Sequence, residues 1–108
     1  MSESAVERQA IERIILVNLK EGVTEEQFNT IAQHGRELLG AIPGVEVVSL
    51  GIALNDNASH RYLVRLRFRD LNALQIYETH PNHNTYGLQE WIPIITDEIL
   101  NDYAIAYG

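Results

Sequence analysis

The sequence has no cysteine among its 108 residues, which excludes disulfide bonds and thiolate metal sites and gives no sign of an oxidising compartment. Basic residues are also few: 8 lysines and arginines stand against 15 aspartates and glutamates, for a net charge of −7. A protein that binds nucleic acid without sequence preference needs a basic surface to displace counterions. We therefore expect no nucleic-acid partner.

Long apolar runs are absent as well. No stretch approaches the length of a membrane span, and residues 1–10 lack the apolar segment of a signal peptide. We expect no membrane partner and a cytoplasmic location. The remaining composition, 45% hydrophobic and 21% charged, is typical of a globular domain. One domain over residues 11–108 should follow a disordered or frayed segment, residues 1–10.

Patterns typical of strands and helices follow one another in the order β-α-β-β-α-β. Thr24 and Gln27 form a capping box at the start of the first helix, and Asp70 is a suitable N-cap for the second. Strand patterns cover residues 11–20, 45–54, 61–69 and roughly 99–107. This order predicts an α+β, ferredoxin-like fold with an antiparallel sheet. After Pro81, a helical stripe is expected at Leu88, Trp91, Ile92 and Ile95.

Both faces of the first strand carry apolar residues, with Ile15 on one face and Leu16 on the other. A single layer of helices covers only one face of a sheet, so the second face predicts a homodimer. The third strand places Arg65 and Arg67 on one face. If a second chain covers that face, these arginines need acidic or carbonyl partners, because an unpaired buried charge is costly.

Residues 77–87 contain two of the four histidines and two of the five tyrosines. His80 precedes Pro81 and is therefore pushed out of the helical conformation, while Pro81 suits the first position of a new helix. His80 is the expected N-cap, and His83 falls in the first turn. Tyr77 ends the preceding helix, so Tyr77 and His83 can converge across the corner.

A cavity for a small apolar or aromatic ligand is expected between the helices and the sheet. Arg13 should face it, since alternation places Arg13 on the same side of the first strand as Ile15. The predicted lining and substrate-binding residues are Arg13, Ile15, Val17, Phe28, Ile31, Val64, Leu66, Tyr86 and Trp91.

The chemistry predicted for this cavity is acid–base catalysis without a cofactor. A neutral imidazole at His83 can remove a proton near neutral pH, and the hydroxyl of Tyr77 can donate a hydrogen bond to a developing enolate. Arg13 can hold a carboxylate or enolate with two hydrogen bonds. A purely structural role for His80 and His83 is the competing interpretation. A metal site is not expected, because no carboxylate lies at ligand spacing from the two histidines.

The segment reads Tyr77-x-x-His80-Pro81-x-His83, and four further stretches agree with a known pattern in order and spacing. They are residues 14–20, 21–26, 42–45 and 102–103. Together they resemble the stress-responsive dimeric α/β-barrel (Dabb) family over roughly residues 11–107. The resemblance implies a dimer whose two sheets pack into an α/β barrel. It also implies a fold with several uses, since some relatives are plant stress proteins without assigned chemistry.

The chain also resembles other members of this family, the polyketide cyclases similar to olivetolic acid cyclase. The resemblance implies that their acid–base pair, a tyrosine and the second histidine of the segment, matches Tyr77 and His83. Arg13 stands where the cyclase has a further histidine. The expected function is a cofactor-free cyclase, lyase or isomerase acting on a carbonyl-rich or polyketide-like substrate. The alternative is a non-catalytic, stress-responsive structural dimer.

Overall fold

A four-stranded antiparallel sheet, covered on one face by helices, organises the chain. The computed structural model describes residues 8–108. The strands are β1 (Ile11–Leu19), β2 (Val45–Ile52), β3 (Tyr62–Phe68) and β4 (Ile95–Ala104), in the spatial order β2-β3-β1-β4. The helices are α1 (Glu25–Gly40), α2 (Leu71–Thr79) and α3 (Pro81–Tyr86). This confirms the predicted ferredoxin-like α+β fold.

Local side-chain caps fix where the helices begin. Thr24 and Gln27 form the predicted capping box, with the backbone N–H of Gln27 donating to the Thr24 hydroxyl at 3.1 Å. Asp70 accepts a hydrogen bond from the backbone N–H of Ala73 at 2.9 Å and so caps α2. Each cap satisfies a backbone donor that the first helical turn leaves without an intrahelical partner.

The core lies between the helices and the inner face of the sheet. Alternation along β1 buries Ile11, Arg13, Ile15 and Val17, and β3 contributes Val64, Leu66 and Phe68 to the same side. Helix α1 presents Phe28, Ala32, Gly35 and Leu39 to them. The periods of two along a strand and 3.6 along a helix, read from the sequence, therefore identify the inner faces.

The chain after Tyr86 departs from the predicted regular helix. Gly87–Trp91 forms a π turn in which the N–H of Ile92 donates to the carbonyl of Gly87, and Ile92–Ile94 forms a 3₁₀ turn. The extra residue in the π turn rotates later side chains by roughly 100° around the axis. The prediction of a single apolar stripe is therefore wrong: Trp91 is buried, whereas Leu88 is 70% and Ile92 53% exposed.

The last strand also begins earlier than predicted. β4 covers Ile95–Ala104 instead of residues 99–107. Pro93 cannot continue a helix, and the N–H of Lys20 donates to the carbonyl of Ile94 at 2.8 Å, which attaches β4 to the end of β1. A bulge at Asp97, whose φ is 56°, follows where the β1–β4 register shifts.

Acidic partners for the arginine row come from the same sheet. Glu12 accepts hydrogen bonds from Arg65 at 2.7 Å and from Arg67 at 2.8 Å, and Arg67 lies 3.5 Å from Glu46. The hydrogen bond from Arg65 lowers the pKa of Glu12 below its usual value. The predicted requirement for acidic partners is thus met without a second chain.

The structure tests only some of the predictions made from composition. Among residues 8–108, no helix is long and apolar enough to cross a membrane. The predicted disorder of residues 1–10 concerns mainly residues outside the described range. The cytoplasmic location and the absence of a nucleic-acid partner stay predictions.

Candidate functional site

A cavity of about 170 Å³ lies between the helical layer and the inner face of the sheet. All four strands contribute to its floor, through residues such as Ile15, Val48, Val64 and Leu100. Its roof comes from α1, from the corner between α2 and α3, and from the π turn with Trp91. Most of this lining is aliphatic or aromatic. Arg13, Tyr77 and His83 lie where β1 passes beneath the α2–α3 corner, and Arg36 and Glu98 add charged groups from α1 and β4.

The α2–α3 corner has the geometry that its residue types favour. His80 has an extended backbone before Pro81, and its Nδ1 accepts a hydrogen bond from the N–H of Asn82 at 3.0 Å. His80 is therefore the N-cap of α3, and this bond occupies its Nδ1. His83, in the first turn, stacks on Tyr77 with 4.2 Å between ring centroids and 33° between ring planes. Tyr77 and His83 both line the cavity.

The environment of His83 favours its neutral form. Burial lowers the pKa of His83 below its usual 6.5, the charge of Arg13 lowers it further, and the Glu78 carboxylate opposes both. Its Nδ1 is buried and has no hydrogen-bond partner among the described residues. A protonated ring would place a donor at that nitrogen without an acceptor, which is unfavourable. At neutral pH the imidazole is thus a free base.

The hydroxyl of Tyr77 is held in its protonated form. Tyr77 is only 3% exposed, and burial raises its pKa well above the usual 10, while the nearby Arg13 charge offsets part of that effect. Its ring also packs edge-on against Phe68, with centroids 4.9 Å apart. A tyrosine with a raised pKa donates a hydrogen bond and does not act as a base at neutral pH.

Arg13 is buried at the polar end of the cavity and is engaged by two carboxylates. Its Nε and Nη2 donate to the two oxygens of Asp102 at 2.8 and 3.0 Å, and Nη2 also donates to Glu78 at 2.5 Å. Burial alone would lower the pKa of Arg13, but these hydrogen bonds raise it, so the side chain remains a cation. Its guanidinium lies 5.6 Å from the centroid of the Tyr77 ring.

These contacts change the predicted role of Arg13. Alternation places it facing the cavity, as predicted. However, Nε and Nη2 are already bound to Asp102, a residue 89 positions away, so this edge of the guanidinium is not available to a substrate carboxylate. The role of Arg13 as a substrate-binding residue stays a prediction.

Tyr86 contributes its ring rather than its hydroxyl. The hydroxyl donates to the carbonyl of Ile31 at 2.8 Å, so it is not free for a ligand. The ring lies so close to α1 that a Cβ at Gly35 would sit 2.5 Å from the Tyr86 oxygen. The glycine thus permits a close approach of α1 and α3 that brings the Tyr86 ring into the cavity wall.

The other predicted lining residues divide into two groups. Ile15, Val64, Leu66, Tyr86 and Trp91 line the cavity. Val17, Phe28 and Ile31 do not: Val17 and Phe28 are buried in the core, with the Phe28 ring 4.3 Å from that of Tyr62, and Ile31 packs beside this core. These three residues lie on the faces of β1 and α1 that meet between helices and sheet, as predicted. They are too far along β1 and α1 to reach the cavity.

Sequence reasoning missed Glu78, Asp102, Glu98 and Leu100 as part of the site. The first two bind Arg13, and the last two line the cavity from β4. Asp102 was recognised only as part of a family pattern. The register that pairs Arg13 with Asp102 and Ile15 with Leu100 would have revealed this wall, but it requires knowing that β1 and β4 are neighbours.

Ligands for a metal ion are not clustered in the described part of the chain. Within residues 8–108, no group of three or more histidine, aspartate or glutamate side chains is arranged to hold a metal ion. His80 and His83 also differ in their surroundings, since one caps α3 and the other stacks on Tyr77.

Comparisons with known proteins agree with this architecture. The model of the stress-responsive A/B barrel domain (Dabb) family matches residues 11–105. No curated protein matches the chain. A ferredoxin-like protein of unknown function from Thermobifida fusca, described as dimeric, is 21% identical, with a TM-score of 0.77 over 90% of this chain and 92% of that one.

Two further solved structures have names that state an activity. The hydroxynitrile lyase of Passiflora edulis is 15% identical, with a TM-score of 0.82 over 94% of this chain and 97% of that one. SnoaB, a cofactor-independent oxygenase of Streptomyces nogalater, is 9% identical, with a TM-score of 0.74 over 93% of this chain and 96% of that one. At these identities the likeness concerns the fold.

Proposed function

Because this chain belongs to the stress-responsive A/B barrel domain family, we propose that it binds a small carbonyl compound and acts on it by cofactor-free acid–base catalysis. The observation that carries the proposal is the stacked pair Tyr77–His83 on one cavity wall, with 4.2 Å between the ring centroids. The names of the lyase and oxygenase neighbours support small-molecule catalysis as the class of function.

The proposed reaction makes or breaks a carbon–carbon bond beside a carbonyl group. In cleavage, His83 removes the hydroxyl proton of a β-hydroxy carbonyl compound or a 2-hydroxy nitrile. The oxygen electron pair forms the carbonyl, the C–C bond breaks, and the enolate or cyanide that leaves takes the proton back from His83. When the leaving group is an enolate, Tyr77 donates a hydrogen bond to the carbonyl oxygen that becomes the enolate oxygen. Cyclisation of a carbonyl-rich substrate is the same sequence in reverse.

The pH dependence of turnover tests the two assigned roles. His83 must be neutral, so activity should fall as the pH drops through its pKa, which burial places below 6.5. Tyr77 must be protonated, and its pKa is raised above 10. We therefore expect a plateau from about pH 7 to about pH 10 for any substrate found in a screen of hydroxy nitriles, aldols and β-dicarbonyl compounds.

Two results would contradict the roles. An alkaline loss of activity below about pH 9 would remove Tyr77 as the donor, and an acid limb centred above about pH 7 would remove His83 as the base. Product formation is followed by chromatography, and unfolding is monitored at each pH so that loss of structure is not mistaken for titration.

We also propose that the chain forms a homodimer through the outer face of its sheet, giving a dimeric α/β barrel. Apolar side chains on this face include Ile99, which pairs with Leu16 and is 45% exposed, and Tyr103, which is 50% exposed. The description of the Thermobifida fusca neighbour as dimeric supports the proposal. Burial of this face in a second copy would remove apolar area from water.

Sedimentation equilibrium tests the homodimer. The native chain should sediment as a dimer at micromolar concentration, and Ile99→Asp should shift it to monomer, because the interface would bury an unpaired charge. Leu88→Asp is the matched control: Leu88 is 70% exposed but belongs to the helical layer, so its variant should remain dimeric. A native monomer, or a dimeric Ile99→Asp variant, would exclude this interface.

A non-catalytic, stress-responsive structural dimer is the second candidate function. One observation favours it: Nε and Nη2 of Arg13 and the hydroxyl of Tyr86 are already bonded within the chain. Under this alternative the cavity is a packing feature, and neither the substrate screen nor substitution of His83 reveals any turnover.

A further inference from the structure

Arg13 lines the cavity, and two carboxylates that lie outside the lining bind it from behind. Arg13 bonds both Asp102 and Glu78, and we call these three residues the Arg13 cluster. One cation against two carboxylates leaves the cluster with a net negative charge. Glu98, from β4, contributes a carboxylate to the lining itself. A further lining cation, Arg36, lies on α1, which packs against β2 at the opposite edge of the sheet.

The reacting pair lies beside this cluster. The centroid of the Tyr77 ring is 5.6 Å from the Arg13 guanidinium carbon, and the His83 ring stacks on the Tyr77 ring. A substrate group that reaches His83 and Tyr77 therefore comes close to Arg13, whose Nε and Nη2 are bound to carboxylates. Because two carboxylates already offset the charge of Arg13, an incoming carboxylate would lose its hydration without gaining a full opposite charge, which is unfavourable in a partly buried site.

The volume limits the substrate as well. An apolar cavity of about 150 Å³ is large enough to bind benzene. The cavity here, about 170 Å³, accommodates one six-membered ring with a small substituent. Its aliphatic and aromatic lining suits such a ring, while a fused two-ring compound would extend beyond this volume into the opening.

We propose that the Arg13 cluster makes this cavity selective for neutral, single-ring-sized carbonyl compounds and that it rejects carboxylates of the same shape. This inference rests on the proposed function and deepens it, since it names the substrate class of the same site. It also replaces the larger, polyketide-like substrate expected from the sequence.

Binding equilibria test the selectivity without requiring turnover. Benzamide and benzoate have nearly the same shape, and at about pH 8 only benzoate carries a charge. Calorimetric titration of the native protein should show benzamide binding at least about tenfold more tightly than benzoate. Naphthalene-2-carboxamide, which adds a second ring, should bind more weakly than benzamide.

Two variants identify the cause of the selectivity. Glu78→Gln and Asp102→Asn each remove one negative charge and keep an oxygen that can accept from Arg13. Each should raise benzoate affinity about tenfold and change benzamide affinity by less than about threefold. Glu78 is 45% exposed, so its variant should fold even if the Asp102 variant does not. Glu37→Gln alters an exposed carboxylate of α1 outside the cavity lining and should change neither the benzoate nor the benzamide affinity.

The outcomes separate this inference from the proposed function. Equal affinity for benzoate and benzamide, no saturable binding of benzamide, tighter binding of the two-ring amide or an unchanged ratio in Glu78→Gln would overturn the inference. Selective binding of benzamide with no turnover of any carbonyl compound would support the inference while rejecting the proposed function.

Discussion

Replacing His83 with alanine should lower kcat about a hundred- to ten-thousandfold, the typical contribution of one positioned proton-transfer group. The α2–α3 corner stacks the ring of His83 on Tyr77, and burial keeps the imidazole neutral by lowering its pKa. Its loss removes the proposed base. It should cost little stability from hydrogen bonding, because Nδ1 has no partner among the described residues.

The same variant offers a way to separate a catalytic role from a structural one. Added imidazole can occupy the space left by the ring, and it should restore part of the activity if His83 transfers a proton. Tyr77→Phe should lower kcat with the ring packing retained, since only the hydroxyl is removed. His34→Ala is the matched control, because His34 lies outside the cavity lining, where it bonds Glu90 at 2.7 Å.

The measurement is steady-state kcat on a substrate from the carbonyl screen, with circular dichroism to verify folding. Native-like activity in a folded His83→Ala variant would rule out His83 as the base and would favour the structural dimer. A drop in activity without rescue by imidazole, together with lost helix signal, would point to a packing role instead.

The second large effect is expected on stability. Arg13→Met should lower the free energy of unfolding by about 3 kcal/mol, at the lower end of the range for breaking a buried ion pair. The Arg13 side chain is only 6% exposed, and its removal leaves two carboxylates facing each other beside an apolar cavity. The value is not larger because Glu78 is 45% exposed and water screens its charge.

Chemical denaturation of three variants tests this explanation. Arg69→Met is the surface control: Arg69 is 61% exposed, its Nε lies 3.6 Å from Asp70, and its loss should change stability by less than about 1 kcal/mol. The double variant Arg13→Met with Asp102→Asn should recover part of the loss, because it removes one of the two repelling charges. An Arg13→Met variant as stable as the native chain would show that the cluster contributes nothing to folding.

Much of the fold was predictable from the sequence because the relevant signals are local. The Thr24–Gln27 box and the Asp70 cap each involve a side chain and a backbone group three residues apart. The corner at His80-Pro81 follows from the steric effect of a proline on the residue before it. Alternation along β1 and β3 identified the inner face, since successive strand residues point to opposite sides.

The candidate site was only partly predictable. Tyr77 and His83 are six positions apart, and a helix end followed by a helix start brings them together, so their convergence was accessible from sequence. The state of Arg13 was not: its partners Asp102 and Glu78 are 89 and 65 positions away. An arginine facing a predicted cavity therefore looked free, although its Nε and Nη2 are bound to carboxylates.

The sequence by itself determined the order of the elements, the ends of the helices, the inner face of the sheet and the pairing of Tyr77 with His83 at the corner. Only the tertiary structure decided the volume of the cavity, the occupation of Arg13 and the π turn that points Trp91 inward and leaves Leu88 outside. The physical reason is the range of the interactions. Capping, alternation and proline sterics act between neighbours in the chain, whereas cavity shape and ion pairing depend on strand register and on close packing between distant segments.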